Sequence, residues 1–240
     1  MKIAIIGYGK MGRMIESTCL ERGHEVALII DKANQNELNT ERLKHIDAAI
    51  DFSTPDSAFD NIMTCIEANT PIVSGTTGWL NKKTEVENAC KTNNASFFYA
   101  SNFSIGVNLL FTINQKLAKL MNGFDNYQCK IEETHHIHKL DAPSGTAISL
   151  ADDILKNIQR LDNWKLNENT EIKQADLPIT AIREGEVTGK HTITYDSDVD
   201  TISLSHEAKN RKGFALGAVM AAEYLKDKKG IYTMQDMLAI

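Results

Sequence analysis

The sequence predicts an α/β protein: an N-terminal doubly wound parallel sheet, then an α+β part with a mixed, mostly antiparallel sheet. Two observations carry this. Through the first hundred residues, short apolar runs closed by glycine or turn residues alternate with helical patterns. Beyond residue 106, extended segments follow one another with a single helix among them. A chain of 240 residues also exceeds one domain of about 150.

Lys2 to Ile6 (KIAII) is a short apolar run ending at Gly7, as a strand buried on both faces reads. Met11 to Glu21 follows as a helix, with Met14, Ile15, Cys19 and Leu20 on one side and Gly23 as its stop. Glu25 to Ile30 is the second strand and completes a βαβ unit. Ala48 to Phe52 is a third strand, and Asp56 to Ala68 a helix after the turn residues Ser53 to Asp56. Pro71 to Ser74, the helix Lys82 to Asn93 and the strand Ala95 to Ala100 continue the alternation. A helix over Gly106 to Met121 opens the second part. Extended segments follow at Tyr127 to His138, Pro178 to Arg183, His191 to Asp196 and Asp200 to His206, with a helix near Thr146 to Ile158. A last helix, Gly213 to Leu225, is expected to return to the first domain.

Composition narrows the function classes. Apolar residues at 42% and charged residues at 24% are those of a globular chain, not a disordered one. A net charge of −6, with basic residues only in short clusters such as Lys82-Lys83 and Lys228-Lys229, argues against nucleic acid as a partner. Cys19, Cys65, Cys90 and Cys129 form no C-x-x-C pair and no disulfide framework, so reduced thiols in a cytoplasmic protein are expected. No apolar stretch is long enough for a membrane span, and the N-terminus lacks the pattern of a secretory signal.

Gly7-Tyr8-Gly9-Lys10-Met11-Gly12 fits G-x-G-x-x-G between a strand and a helix, the context that makes this motif a dinucleotide turn. The first glycine permits the turn, the second lets backbone approach a pyrophosphate, and the third lets helix and strand pack. Helix N–H groups and dipole then face the phosphates. Asp31 stands nineteen residues after the last glycine, where an acid meets the adenine ribose, with Lys32 beside it. Gly75-Thr76-Thr77-Gly78 closes another parallel strand and is expected to face the same cleft. The first domain is therefore read as residues 1–105, binding NADH or NADPH, with the C-terminal segment 213–240 packed back on it. Residues 106–212 are left as a second domain, of α+β type.

Between residues 135 and 141, three of the seven histidines stand with Lys139 and Asp141. Were Lys130 to His138 one strand, Glu132, His136 and His138 would share a face and His135 would take the other. Three readings stay open from the residues: a metal site, a surface cluster, or an acid/base and anion site. H-H-x-H matches no defined zinc spacing. Ser144-Gly145-Thr146 after Pro143 reads as a helix start whose N–H groups suit a carboxylate.

The stretch Glu133-Thr134-His135-His136-Ile137-His138-Lys139-Leu140-Asp141-Ala142-Pro143-Ser144-Gly145-Thr146-Ala147 resembles the signature of the dihydrodipicolinate reductases, also called 4-hydroxy-tetrahydrodipicolinate reductases. The resemblance extends to the glycine turn, Gly75 to Gly78, Asn102 to Asn108, Arg183 to Gly185, Gly189 to His191, and Arg211 to Gly217. It implies NAD(P)H-dependent reduction of 4-hydroxy-tetrahydrodipicolinate, via dihydrodipicolinate, to tetrahydrodipicolinate in lysine and diaminopimelate biosynthesis. It implies a Rossmann domain, a mixed-sheet domain that assembles homotetramers, and a small dicarboxylate substrate. Cofactor contacts are expected at Gly7, Gly9, Lys10, Met11, Gly12, Asp31, Lys32, Gly75, Thr76, Thr77, Ala100, Asn102 and Phe103. His135 corresponds to the general acid/base and Lys139 to the catalytic lysine. His136, Gly145 and Thr146 correspond to substrate contacts, to which the residue reading adds His138 and Ser144. No metal is expected. The chain departs from the pattern at its glycine turn, one residue shorter than in many members. It also departs at Thr54, where some carry Arg, and at Ser101, where Pro is common. The alternatives are another reductase of a small carboxylated imine, a non-catalytic dinucleotide sensor, or a metal-dependent hydrolase.

Overall fold

The computed structural model describes residues 1–168 and 171–240. In chain order its elements begin with β1 (Lys2–Ile6), α1 (Lys10–Glu21), β2 (Glu25–Ile30), α2 (Thr40–Leu43), β3 (Ala48–Asp51), α3 (Pro55–Glu67) and β4 (Ile72–Ser74). There follow α4 (Lys83–Thr92), β5 (Ser96–Tyr99), α5 (Ile105–Met121), β6 (Gln128–His135), α6 (Gly145–Asn157) and β7 (Asn163–Leu166). The chain closes with β8 (Asp176–Arg183), β9 (Lys190–Asp196), β10 (Thr201–Glu207), α7 (Lys212–Tyr224), β11 (Gly230–Tyr232) and α8 (Met234–Leu238). Two compact units result: Met1–Ile105 with Lys212–Ile240, and Gly106–Arg211.

The first unit holds a six-stranded sheet in the order β11-β5-β4-β3-β1-β2, parallel throughout. Its central strands read as unbroken apolar runs because both faces are covered. Ile3, Ile5, Ile50, Val73 and Phe98 face one core with α1 and α7. Ala4, Ile6, Ala49, Ile72 and Phe97 face the other with α3 and α4. α7 approaches closely because, Val219 apart, the residues it buries are Ala215, Gly217, Ala218, Ala221 and Ala222. A Cβ on Gly217 would lie 1.8 Å from the Phe103 carbonyl oxygen. Thr54 and Pro55 open α3, with Pro in its first turn, where its missing N–H costs nothing. β11 escapes the sequence reading, since three residues show no period.

The second unit holds a five-stranded mixed sheet in the order β10-β9-β6-β8-β7. β10–β9 and β9–β6 pair antiparallel, while β6–β8 and β8–β7 pair parallel. Four residues long and only half-buried, β7 escapes the sequence reading too. Leu110, Ala118 and Met121 of α5 and Leu150, Ala151 and Ile154 of α6 pack on Cys129, Ile131, Ile179, Ile193 and Tyr195. Along β6 burial alternates, then breaks, with Glu133, Thr134 and His135 all buried.

One expectation is corrected here. The strand does not run to His138: it stops at His135, whose carbonyl accepts from the Glu184 N–H at 2.8 Å. The Ile137 N–H then bonds Gly185 O at 3.1 Å, so the chain turns along the 184–185 corner. His136 and His138 therefore share no strand face with Glu132. Among the described residues no helix is long and apolar enough to cross a membrane.

Candidate active site

In the first unit the glycine turn is built as its spacing requires. Gly7 has φ +90°, and a Cβ there would lie 2.2 Å from the Phe52 carbonyl oxygen. A Cβ on Gly12 would lie 2.2 Å from the Gly7 carbonyl oxygen, so only glycine lets α1 sit this close to β1. At Gly9 a Cβ meets nothing within 4 Å. The space over Gly9 and the free first-turn N–H groups of α1 fit a pyrophosphate. Lys10 is exposed and Met11 half-buried in that first turn.

A cleft of about 550 Å³ opens beside this turn, lined by Gly7, Gly9, Asp31, Lys32, Thr54 and Asp56 among others. Asp31 caps the 3-10 turn after β2: it accepts from the Lys32 N–H at 2.9 Å, and its own N–H donates to Asn34 Oδ1 at 2.8 Å. Asp60 and Gln35 also line the cleft, where among the described residues Lys32 is the one cationic lining side chain, against Asp31, Asp56 and Asp60.

Beneath the cleft lies Asp51, fully buried at the end of β3. It accepts from Ser53 Oγ at 2.6 Å, Thr76 Oγ1 at 2.7 Å, and Asn61 Nδ2 and Ser74 Oγ at 3.1 Å. Burial pushes its carboxyl up, and the four donors pull against that. Gln35 donates to Asn61 Oδ1 at 2.7 Å, which ties the loop after β2 through Asn61 to the groups that bond this carboxyl. Thr76 is thereby committed inside the fold, while Thr77 next to it is exposed. Gly75 lies against the Phe52 ring, where a Cβ would come within 2.3 Å. Ala100 continues β5, its N–H bonding Ser74 O at 3.3 Å, and Asn102 Oδ1 accepts from the Ser104 N–H at 2.9 Å. Phe103 is buried, its carbonyl against Gly217.

In the second unit the end of β6 meets the start of α6. Glu133 is fully buried. Its Oε1 accepts from the Ser144 N–H at 3.0 Å and Arg183 Nη2 at 3.2 Å, and its Oε2 lies 3.3 Å from His135 Nδ1 and 3.6 Å from His191 Nε2. Burial pushes the Glu133 carboxyl up, but His191, Ser144 and the charge of His135 outweigh it and hold it down at about 2. Burial pushes the His135 imidazole down to about 4; Glu133 opposes this, while His191, Lys139 and Arg183 add to it.

Ser144 caps α6, its Oγ accepting from the Ala147 N–H at 3.2 Å and lying 3.1 Å from His191 Nε2. Its hydroxyl is thus a structural cap, and Gly145 and Thr146 present the open helix start, with nothing within 4 Å of a Cβ on Gly145. Arg183 also donates to the carbonyls of Lys139 at 3.3 Å and Asp141 at 2.6 Å, which shapes the loop after β6. Lys139 Nζ lies 2.7 Å from both oxygens of Asp141. His136 is half-buried, and His138 is exposed on Glu186 at 3.0 Å. Of the expected cluster, Lys139 and His138 each face a carboxylate of their own, and the His136 and His138 rings lie with centroids 5.9 Å apart.

Glu133, His135 and His191 offer ligand atoms within 4.8 Å of one another, a spacing a metal ion would accept. Glu133 Oε1 already receives the Ser144 N–H and the Arg183 guanidinium, while Glu133 Oε2, His135 Nδ1 and His191 Nδ1 are buried without a hydrogen bond.

Residues 1–103 match the family model described as "Dihydrodipicolinate reductase, N-terminus", and residues 106–238 match "Dihydrodipicolinate reductase, C-terminus". The chain belongs to the dihydrodipicolinate reductase family. A curated 4-hydroxy-tetrahydrodipicolinate reductase of Christiangramia forsetii is 51% identical over 240 residues, covering 100% of this chain and 98% of that one. Another, of Thermosipho africanus, is 35% identical and covers 99% and 98%. A solved dihydrodipicolinate reductase of Paenisporosarcina sp. TG-14, described as dipicolinate-bound, superposes with a TM-score of 0.78 at 24% identity over 98% of both chains. A probable dehydrogenase of Thermotoga maritima shares the fold more distantly, with a TM-score of 0.54 at 12% identity over 99% of this chain and 92% of that one.

Reading the residues of this dihydrodipicolinate reductase family member for chemistry did not single out Asp51, Glu133, Arg183 or His191. One signal was available: a charged residue inside a strand at a position that alternation assigns to the core, as Glu133 is between Ile131 and His135.

Proposed function

We propose that this chain catalyses NAD(P)H-dependent reduction of 4-hydroxy-tetrahydrodipicolinate, the reaction for which its curated relatives are named. The observation that carries the reading is the meeting of His135, the Lys139 loop and the open start of α6 around Glu133 and Arg183. A titratable group beside a cation and a helix N-terminus suits a small dicarboxylate that must also gain a proton. Residues 1–105 with 213–240 serve the dinucleotide, and 106–212 serve substrate and assembly. Bound NADH or NADPH supplies the hydride. Gly7 to Gly12 hold its phosphates, Asp31 and Lys32 meet the adenine ribose, and Gly75, Thr77 and the Ala100–Phe103 strand end line the rest. His136, Gly145, Thr146 and Lys139 hold the carboxylates, with His138 at the rim, and His135 handles the proton.

NADH is the better cofactor in this reading. Three carboxylates line the adenosine cleft against Lys32 alone, and Thr54 carries no charge where an Arg would clamp a 2′-phosphate. A homotetrameric, cytoplasmic enzyme fits the four free buried thiols and the exposed edge strand β10. The deciding assay follows oxidation of NADH and of NADPH with freshly generated substrate. No turnover with either would overturn the reading. A preference of tenfold or more for NADPH, about 1.4 kcal/mol, would overturn the cofactor assignment.

A further inference from the structure

We propose that Glu133 is the positioning residue of His135: its Oε2 accepts the Nδ1–H, which fixes the ring and leaves Nε2 as the atom that exchanges the proton. The inference rests on the acid/base role of His135 given above, and adds to it the identity of the working nitrogen and the group that selects it.

Three observations lead there. First, the carboxylate is pinned. Glu133 is fully buried, and its Oε1 is occupied by the Ser144 N–H at 3.0 Å and Arg183 Nη2 at 3.2 Å. It therefore cannot rotate without stranding two donors, one of them charged. Second, Oε2 lies 3.3 Å from His135 Nδ1, nearer than the 3.6 Å to His191 Nε2, and Oε2 and Nδ1 are both buried without a hydrogen bond as placed. A proton on Nδ1 satisfies both, whereas an unprotonated Nδ1 would face a carboxylate held ionised. Third, the opposite edge of the ring is kept bare. Residue 189 is glycine with φ +158°, and a Cβ there would lie 3.0 Å from Nε2 and 3.3 Å from Cδ2. A side chain at that position would cover the nitrogen the reaction needs.

The proton balance follows. His135 as imidazolium gives up the Nε2 proton and becomes neutral imidazole, with its Nδ1–H still on Glu133; water then returns a proton to Nε2. The charged groups facing the ring are Glu133 on its own strand, Arg183 on β8, His191 on β9 and Lys139 on the following loop. The three basic groups oppose the imidazolium in the free site. A bound dianion offsets them, so substrate itself helps to charge His135. In Glu133→Gln an amide N–H₂ would face Nδ1, favouring the Nε2–H tautomer and spoiling the acceptor. The same logic makes a buried carboxylate behind a catalytic imidazole matter through tautomer and orientation.

The test is ¹⁵N NMR of His135 in the full-length protein at neutral pH, combined with kinetics of Glu133→Gln and Glu133→Asp. The wild type should show the Nδ1–H tautomer. Glu133→Gln should show Nε2–H and lose about 10²–10⁴-fold in kcat, with NADH affinity unchanged. Glu133→Asp, which keeps a carboxylate, should regain the Nδ1–H tautomer and at least part of kcat. An Nε2–H tautomer in the wild type overturns the proposal even if neither variant folds. So does a folded Glu133→Gln protein with wild-type kcat. If the tautomer is Nδ1–H but the substrate is not turned over, the positioning stands and the proposed reaction fails.

Discussion

His135 and Lys139 carry the sharpest expectations at the scale of single residues. His135→Ala should lower kcat by about 10²–10⁴-fold, with NADH affinity by fluorescence titration unchanged, because the glycine turn belongs to the other unit. A loss confined to NADH affinity would remove His135 from proton transfer. Lys139 already faces both oxygens of Asp141 at 2.7 Å, so a bound dicarboxylate competes with an internal carboxylate. Charge-assisted bonds contribute about 1.5–3 kcal/mol. Lys139→Ala should therefore weaken inhibition by pyridine-2,6-dicarboxylate roughly ten- to a hundredfold, whereas Asp141→Asn should strengthen it. The pH dependence has a definite sign. The free His135 imidazole lies near 4, and a bound dianion raises it, so binding takes up a proton. Inhibitor affinity should fall as pH rises from about 4 through the raised value of the complex. Inhibition constants for the three proteins across pH would show this; an unaltered constant in Lys139→Ala with a flat profile would return these residues to the surface.

At the scale of elements, the glycines of the first βα turn separate binding from packing. Gly9 has open space where a Cβ would go, while at Gly12 a Cβ would meet the Gly7 carbonyl at 2.2 Å. Gly9→Ala should leave stability within about 0.5 kcal/mol and weaken NADH, since the methyl would occupy the side of the turn proposed to approach phosphate. Gly12→Ala should lower stability by about 1–3 kcal/mol or more, because α1 must lift from β1. Urea unfolding beside NADH titration distinguishes the two; equal stability losses would refute the division. Local rules made this element legible in advance, since turn, strand and helix adjoin within six residues. The end of β6 was not legible in the same way. Its apolar alternation continues the extended pattern toward His138, but the Glu184 N–H bonding the His135 carbonyl and the Ile137 N–H bonding the Gly185 carbonyl end the strand at His135. Those partners stand some fifty residues away, outside any window a periodicity can sense.

The whole molecule should lose stability as acid is added. Glu133 is held at about 2, below its unfolded value, so its contribution is complete above roughly 4.5 and disappears as pH falls through 2. His135, at about 4 against an unfolded value of 6.5, acts in the same direction: its contribution is complete above 6.5 and is lost as pH falls through 4. Asp51, whose carboxyl is pushed up, opposes them, its share being present at low pH and lost as pH rises. Urea midpoints should decline from about pH 6.5 downward, most of the loss coming below 5. In Glu133→Gln the part below 4.5 should flatten; an unchanged acid limb would mean that other carboxylates govern it.

By itself the sequence determined the parallel sheet, the dinucleotide turn and the motif that carries His135 and Lys139. Each is written within a few consecutive residues, as an apolar run, a glycine spacing or a helix start. Tertiary structure alone decided which distant groups meet. It laid α7 on β3 and β4, where the lack of a side chain at Gly217 lets the helix approach Phe103. It inserted β8 between β6 and β7. It brought Arg183 from β8 and His191 from β9 onto the Glu133 and His135 end of β6, and Asn61, Ser74 and Thr76 onto Asp51. A buried carboxyl group must find donors wherever the fold places them, and sequence distance does not record that requirement.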